Sequence, residues 1–227
     1  MNPTSATKRW AGALLVFNGL WIFVPMIILG RAIDWPASLG FAPDVVLPLI
    51  TAHAGEVKLG YFTYLLYSVL FFPMALLSMK AVQGERGFSP LALIGMGFAA
   101  LSTLARTIGI LRWLTVMPLL AADYAIEPSS VHLTVFKAIN AYGGGIGEIL
   151  GVGLFAGLWA VLWSIDVIRN KSLPRWWGII GVLAGFLVMA PLVEAIGFDL
   201  GAGIIASTAG VQLWWLGLGL YLLLKRR

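Results

Sequence analysis

From Trp10 to Gly30, between Arg9 and Arg31, the chain has no charged side chain. A helix rising about 1.5 Å per residue crosses roughly 30 Å of hydrocarbon over that length, and the apolar core of a signal peptide is shorter. The stretch therefore reads as a retained membrane helix, with Asn18 and Pro25 inside it. The remainder offers no soluble alternative. Hydrophobic residues make up 60 % of the 227, charged residues only 11 %, and mean hydropathy is +0.93. No polar block is long enough to bury a core of its own, so residues 1–227 are expected to form a single integral membrane domain.

Five more apolar runs follow, giving expected spans at about 10–30, 59–79, 90–122, 131–168, 176–197 and 203–224. The fold class expected is all-α, a polytopic membrane bundle of six transmembrane helices. The third and fourth runs exceed a minimum span, which implies tilt or projection beyond the bilayer. Between the first and second spans, Asp44 is a plausible N-cap for residues 45–58, a segment too short and polar to cross and expected to lie at the interface as a short helix. Pro174 breaks the chain between the fourth and fifth spans, and Phe198–Gly203 reads as a tight turn containing Asp199.

Six crossings put both termini on one face. That face collects Lys8, Arg9, Lys80, Arg86, Arg169, Lys171, Arg175, Lys225, Arg226 and Arg227, ten of the fifteen basic residues. Short connections rich in Lys and Arg stay inside, so both termini are expected in the cytoplasm. This asymmetry also accounts for the net charge of +5 without a nucleic-acid partner. The halves show no convincing inverted repeat of the transporter kind.

Within the spans, charges are few and expensive. Counting helical rise from the cytoplasmic edge puts Arg106 at ~24 Å, Glu194 at ~27 Å and Glu148 at ~30 Å, with Arg112 slightly further out. Asn140, Tyr142 and His132 join this layer from above. One reading makes it a ligand site; the other makes Arg106 a structural partner of Glu148 or Glu194, with Arg112 snorkelling to the interface. Glu148 lies in Asn140-Ala-Tyr-Gly-Gly-Gly-Ile-Gly-Glu-Ile-Leu-Gly151. There Gly143, Gly147 and Gly151 repeat at the four-residue spacing that lets membrane helices approach, as do Gly153 with Gly157 and Gly181 with Gly185. A second reading has the triple glycine unwind the helix beside a cavity.

No metal or cofactor is expected. Cysteine is absent, which excludes disulfides, thiolate sites and iron–sulfur clusters. His53 and Glu56 share an H-x-x-E spacing, but His53 falls outside the expected spans, so a bis-histidine haem with His132 lacks matching depth. Nucleophile-elbow, zinc-protease and phosphate-loop motifs are also absent.

Four motifs carry a family resemblance: Ala105-Arg-Thr-Ile-Gly-Ile-Leu-Arg-Trp113, Pro118-Leu-Leu-Ala121, Tyr142-Gly-Gly-Gly-Ile-Gly-Glu-Ile-Leu-Gly151 and Leu173-Pro-Arg-Trp-Trp-Gly-Ile-Ile-Gly181. The chain resembles the bacterial domain-of-unknown-function 4386 family over roughly residues 10–224. The resemblance implies six membrane helices and no agreed activity. Related sequences place a histidine soon after the glutamate of the glycine-rich motif, where this chain has Ile149.

The residues leave three functions open. The first is binding of a small anionic or amphiphilic ligand in an outward-facing intramembrane pocket built from Arg106, Arg112, Glu148, Glu194, Asn140, Tyr142 and His132. The second is an embedded enzyme acting on a lipid or isoprenoid. The third is a non-catalytic partner of another membrane protein.

Overall fold

The computed structural model describes residues 3–84, 87–198, 200 and 203–225. Glu85, Arg86, Asp199, Arg226 and Arg227, which entered the charge count and the expected turns, lie outside them. Among the described residues the secondary structure is entirely helical. Six helical stretches are long and apolar enough to cross a membrane: Ala6–Ile33, Ala54–Gln83, Pro90–Ile126, Ser130–Asn170, Arg175–Ile196 and Ala206–Leu224. The chain is a multi-pass membrane protein. Its bundle exterior carries Leu59, Phe62, Leu66, Leu101, Leu104, Ile108 and Leu183, apolar side chains that suit contact with lipid.

Two spans are single helices, α4 (Ala54–Gln83) and α10 (Gly203–Leu224), while the others are interrupted. The first divides into α1 (Pro3–Trp21) and α2 (Phe23–Ile33). The short helix α3 (Pro43–Ala52) covers only the first part of the segment expected at the interface; the remainder, from Ala54, already belongs to the second span. The third span comprises α5 (Pro90–Leu114) and α6 (Val116–Ile126). Pro118 supplies no N–H to the Leu114 carbonyl and its ring crowds that oxygen, so the chain breaks at Thr115, with φ −122° and ψ −70°. The fourth span runs through α7 (Ser130–Gly144), a π-helix at Gly145–Phe155 and α8 (Ala156–Asn170). The fifth is α9 (Arg175–Val188) followed by a 3₁₀ turn, Ala190–Ile196, entered through Pro191.

Two apolar cores hold the bundle. One is aromatic, with Phe71, Trp159, Trp163, Trp177, Trp214 and Trp215 packed between α4, α8, α9 and α10. The other joins α2, α3 and α4 to α5 and α6 through Leu29, Leu47, Ile50, Tyr61, Trp113 and Met117. Thr51 Oγ1 on α3 donates to the Ala121 carbonyl on α6 at 3.0 Å, which ties the short helix down where the third span bends.

Backbone meets backbone between the third and fourth spans. A Cβ on Gly109 would stand 2.6 Å from the Gly147 Cα, and one on Gly151 would stand 3.0 Å from the Arg106 backbone nitrogen. The packing reading of the glycines therefore describes this contact. The triple glycine is not unwound: Gly143 and Gly144 end α7, and Gly145 opens the wider π-turns. Gly109→Ala is expected to destabilise the purified protein by about 1–3 kcal/mol, because backbone must move to admit the methyl group. Gly145→Ala, which meets nothing within 4 Å, is expected to stay within about 0.5 kcal/mol of the wild type. Thermal unfolding in detergent compares the two.

Candidate functional site

Arg112 occupies the last turn of α5, where the helix dipole favours a cation. The break at Thr115 follows almost at once. The side chain turns into the bundle and is 7 % exposed. Nη1 donates to the Gly109 carbonyl at 2.9 Å, and Nη2 donates to Asn140 Oδ1 at 3.3 Å and Glu148 Oε1 at 3.2 Å. One guanidinium thereby joins α5, α7 and the π-helix.

Glycines make room for it. A side chain at Gly143 would overlap the Arg112 stem, and a Cβ at Gly144 would lie 3.6 Å from Nη2 and 3.9 Å from Glu148 Oε1. Beneath the cradle, the Trp113 ring stacks on Tyr61 at 4.7 Å and meets Phe136 edge-on at 6.3 Å. Arg112 also lies 5.7 Å from the Trp113 ring centroid.

The two charges of this pair have different surroundings. Arg112 is buried, and its Nε has no hydrogen-bond partner. The Glu148 side chain is 52 % exposed. Its carboxylate is presented from a π-helix, a conformation that is rare and recurs at functional sites. The arrangement is a fixed cation with spare donor capacity behind an accessible carboxylate.

Residues 10–225 match the family described as Domain of unknown function (DUF4386). The chain belongs to that family. No curated protein and no solved structure matches it. In this DUF4386 protein, the arginine, the asparagine and the glutamate of the site all come from within the matched region.

The remaining candidates of the polar layer are dispersed. Arg106 does not pair with Glu148 or Glu194, and Arg112 does not snorkel; the ion pair forms at Arg112. Six residues of α-helix turn through about 600°, so the two arginines leave α5 roughly 120° apart in direction and about 9 Å apart in height. Arg106 consequently faces α4, with its guanidinium 4.5 Å from the Phe71 ring centroid and 6.0 Å from that of Tyr67. Glu194, in the 3₁₀ turn after α9, accepts from the Leu200 backbone N–H at 3.4 Å. Tyr142 is 74 % exposed on the bundle surface. His132 Nδ1 lies 2.9 Å from Ser129 Oγ at the start of α7, and the imidazole sits edge-on to Tyr124. Among the described residues, no three or more histidine and carboxylate side chains come together as metal ligands would.

Asp166 is a buried carboxylate that the depth count passes over. It is 2 % exposed, accepts from Gln83 Nε2 and also from Ser89 Oγ at 3.1 Å, and so ties α8 to the end of α4 and the start of α5. Ser89 in turn caps α5 by accepting from the Ala92 N–H. A cavity of about 210 Å³ lies beside this knot, lined by Ser89, Pro90, Leu91, Asp166, Arg169 and Asn170. A carboxylate inside the apolar run, within a helical turn of Asn170, was the available signal.

Removing the two partners of the ion pair should have unequal effects. Glu148→Ala strands a buried cation and is expected to cost about 3 kcal/mol or more, whereas Arg112→Met leaves a carboxylate that can be hydrated and is expected to cost less. Equilibrium unfolding of the two variants in one detergent measures the difference, and equal losses would contradict the asymmetry.

Proposed function

We propose that this protein binds a small anionic or amphiphilic molecule at Arg112, Asn140 and Glu148, in a polar pocket that opens to the outer face of a bacterial inner membrane. One observation carries the reading: a buried guanidinium with an unpartnered Nε stands behind a half-exposed carboxylate on a π-helix. A carboxylate facing hydrocarbon is expensive, so its exposure argues for a hydrated opening. The acidic head of a ligand would compete with Glu148 for Nη2 of Arg112. Asn140 would orient the ligand, and its tail would meet apolar surface near Trp113.

The orientation follows from charge. Six crossings return both termini to one side, and the Lys and Arg excess of that side assigns it to the cytoplasm. Arg112 then stands about 33 Å from the start of α5, at the outer boundary of the hydrocarbon. A catalytic reading uses the same residues: an accessible carboxylate beside a guanidinium suits acid or base chemistry on a lipid or isoprenoid. Docking of a second membrane protein would instead use the lipid-facing surface and leave the polar site idle.

Native mass spectrometry of the detergent-purified protein tests the binding reading. A discrete organic adduct is expected on the wild type, and it should be absent from folded Arg112→Met and weakened in Asn140→Ala. An adduct retained in full by folded Arg112→Met would place the ligand elsewhere, and turnover of that ligand lost in Glu148→Gln would favour the enzyme.

A further inference from the structure

Arg106 is 4 % exposed and stands about 24 Å along α5, well inside the bundle. Its Nε and Nη1 are buried without hydrogen-bond partners, and among the described residues no carboxylate is within salt-bridge distance. A guanidinium cannot shed its charge to relieve this. Its neighbours are the Phe71 ring and Tyr67, whose side chain hydrogen-bonds with it; both are neutral and leave the charge uncompensated. Buried charges are otherwise paired, so this one calls for a counter-ion the chain does not supply.

We infer that Arg106, together with Tyr67 and Gln212, forms a second and deeper site for a small monovalent inorganic anion of the halide class. Three features set the class. A single fixed cation balances a single negative charge, and a divalent anion would leave the interior net negative. The guanidinium is enclosed, with Arg106 buried and its Cζ 4.5 Å from the Phe71 ring centroid, which leaves no room for a large organic anion. The nearby polar groups are the Tyr67 hydroxyl, which accepts from Gln212 Nε2 at 3.2 Å and donates to Gln212 Oε1, and the Gln212 amide, whose nitrogen carries a second N–H; together they link α4 to α10. The rings of Trp159 and Trp215 pack on Phe71 at 5.2 and 5.6 Å, and each keeps a buried indole N–H without a partner. Donors, one cation and aromatic walls, with no nearby carboxylate, suit a weakly hydrated halide better than an organic acid. The site is independent of the one at Arg112, which lies on another face of α5 and already has Glu148 as its partner.

Chloride-35 NMR line broadening on the protein in chloride-depleted nanodiscs tests this. The wild type should broaden the chloride line saturably, and bromide should displace the effect. Arg106→Gln should reduce it at least tenfold, while Arg112→Gln should leave it within about twofold. If Arg106→Gln does not fold, Gln212→Leu and Tyr67→Phe decide, each expected to weaken binding several-fold. Wild-type broadening no greater than that of empty nanodiscs overturns the site. So does broadening that follows Arg112 and is indifferent to Arg106, or to Gln212 and Tyr67.

Discussion

The contact between Gly109 and Gly147 holds the polar interior together. With backbone against backbone, α5 comes close enough to the fourth span for a short chain of side-chain contacts to bridge them. Arg112 then reaches Glu148 and Asn140 without leaving the bundle. In hydrocarbon, a polar group without a partner has no water to turn to. A larger residue at either glycine would separate the helices and leave the guanidinium to be solvated by lipid.

The two arginines of α5 illustrate two ways of keeping a permanent cation in a membrane. Arg112 is surrounded by acceptors: a backbone carbonyl, an amide and a carboxylate. Arg106 is surrounded by aromatic faces. A guanidinium desolvated over such a face gains about 2 kcal/mol. That is less than the several kcal/mol that removing a lone cation from water costs, and so the interior at Arg106 is electrostatically incomplete in a way that the Arg112 cluster is not. At the opposite end of the bundle, Asp166 draws α4, α5 and α8 together through Gln83 and Ser89. The bundle is thus fastened by polar contacts at both ends, with an aromatic core between them.

Much of this architecture was legible in the sequence, because hydropathy and length act on a membrane helix directly. The six helical stretches fall where the apolar runs place them, with ends shifted by a few residues, and three of the polar residues of the expected layer, Glu148, Arg112 and Asn140, are hydrogen-bonded together. Pairing was harder to read. A depth count gives height along a helix and says nothing of direction around it, so Arg106 and Arg112 were indistinguishable until their different facings were known. The count also assumes straight helices, while the third span breaks at Thr115 and the fourth widens into a π-helix from Gly145. The burial of Asp166 is not legible in the sequence, because a carboxylate near a helix end is ordinarily hydrated and its partners Gln83 and Ser89 are distant in sequence.

Glu148 is half exposed at a depth where exposure must mean either lipid or water, and the proposed function requires water entering from outside. The chain contains no cysteine, so a single Glu148→Cys substitution provides a unique thiol. The most direct measurement is its labelling in spheroplasts by membrane-impermeant thiol reagents of opposite charge. With Arg112 beside it, the cysteine should react, and the anionic reagent should react several-fold faster than the cationic one. A thiol that stays unlabelled in the native protein but reacts after denaturation would contradict an outward-opening pocket.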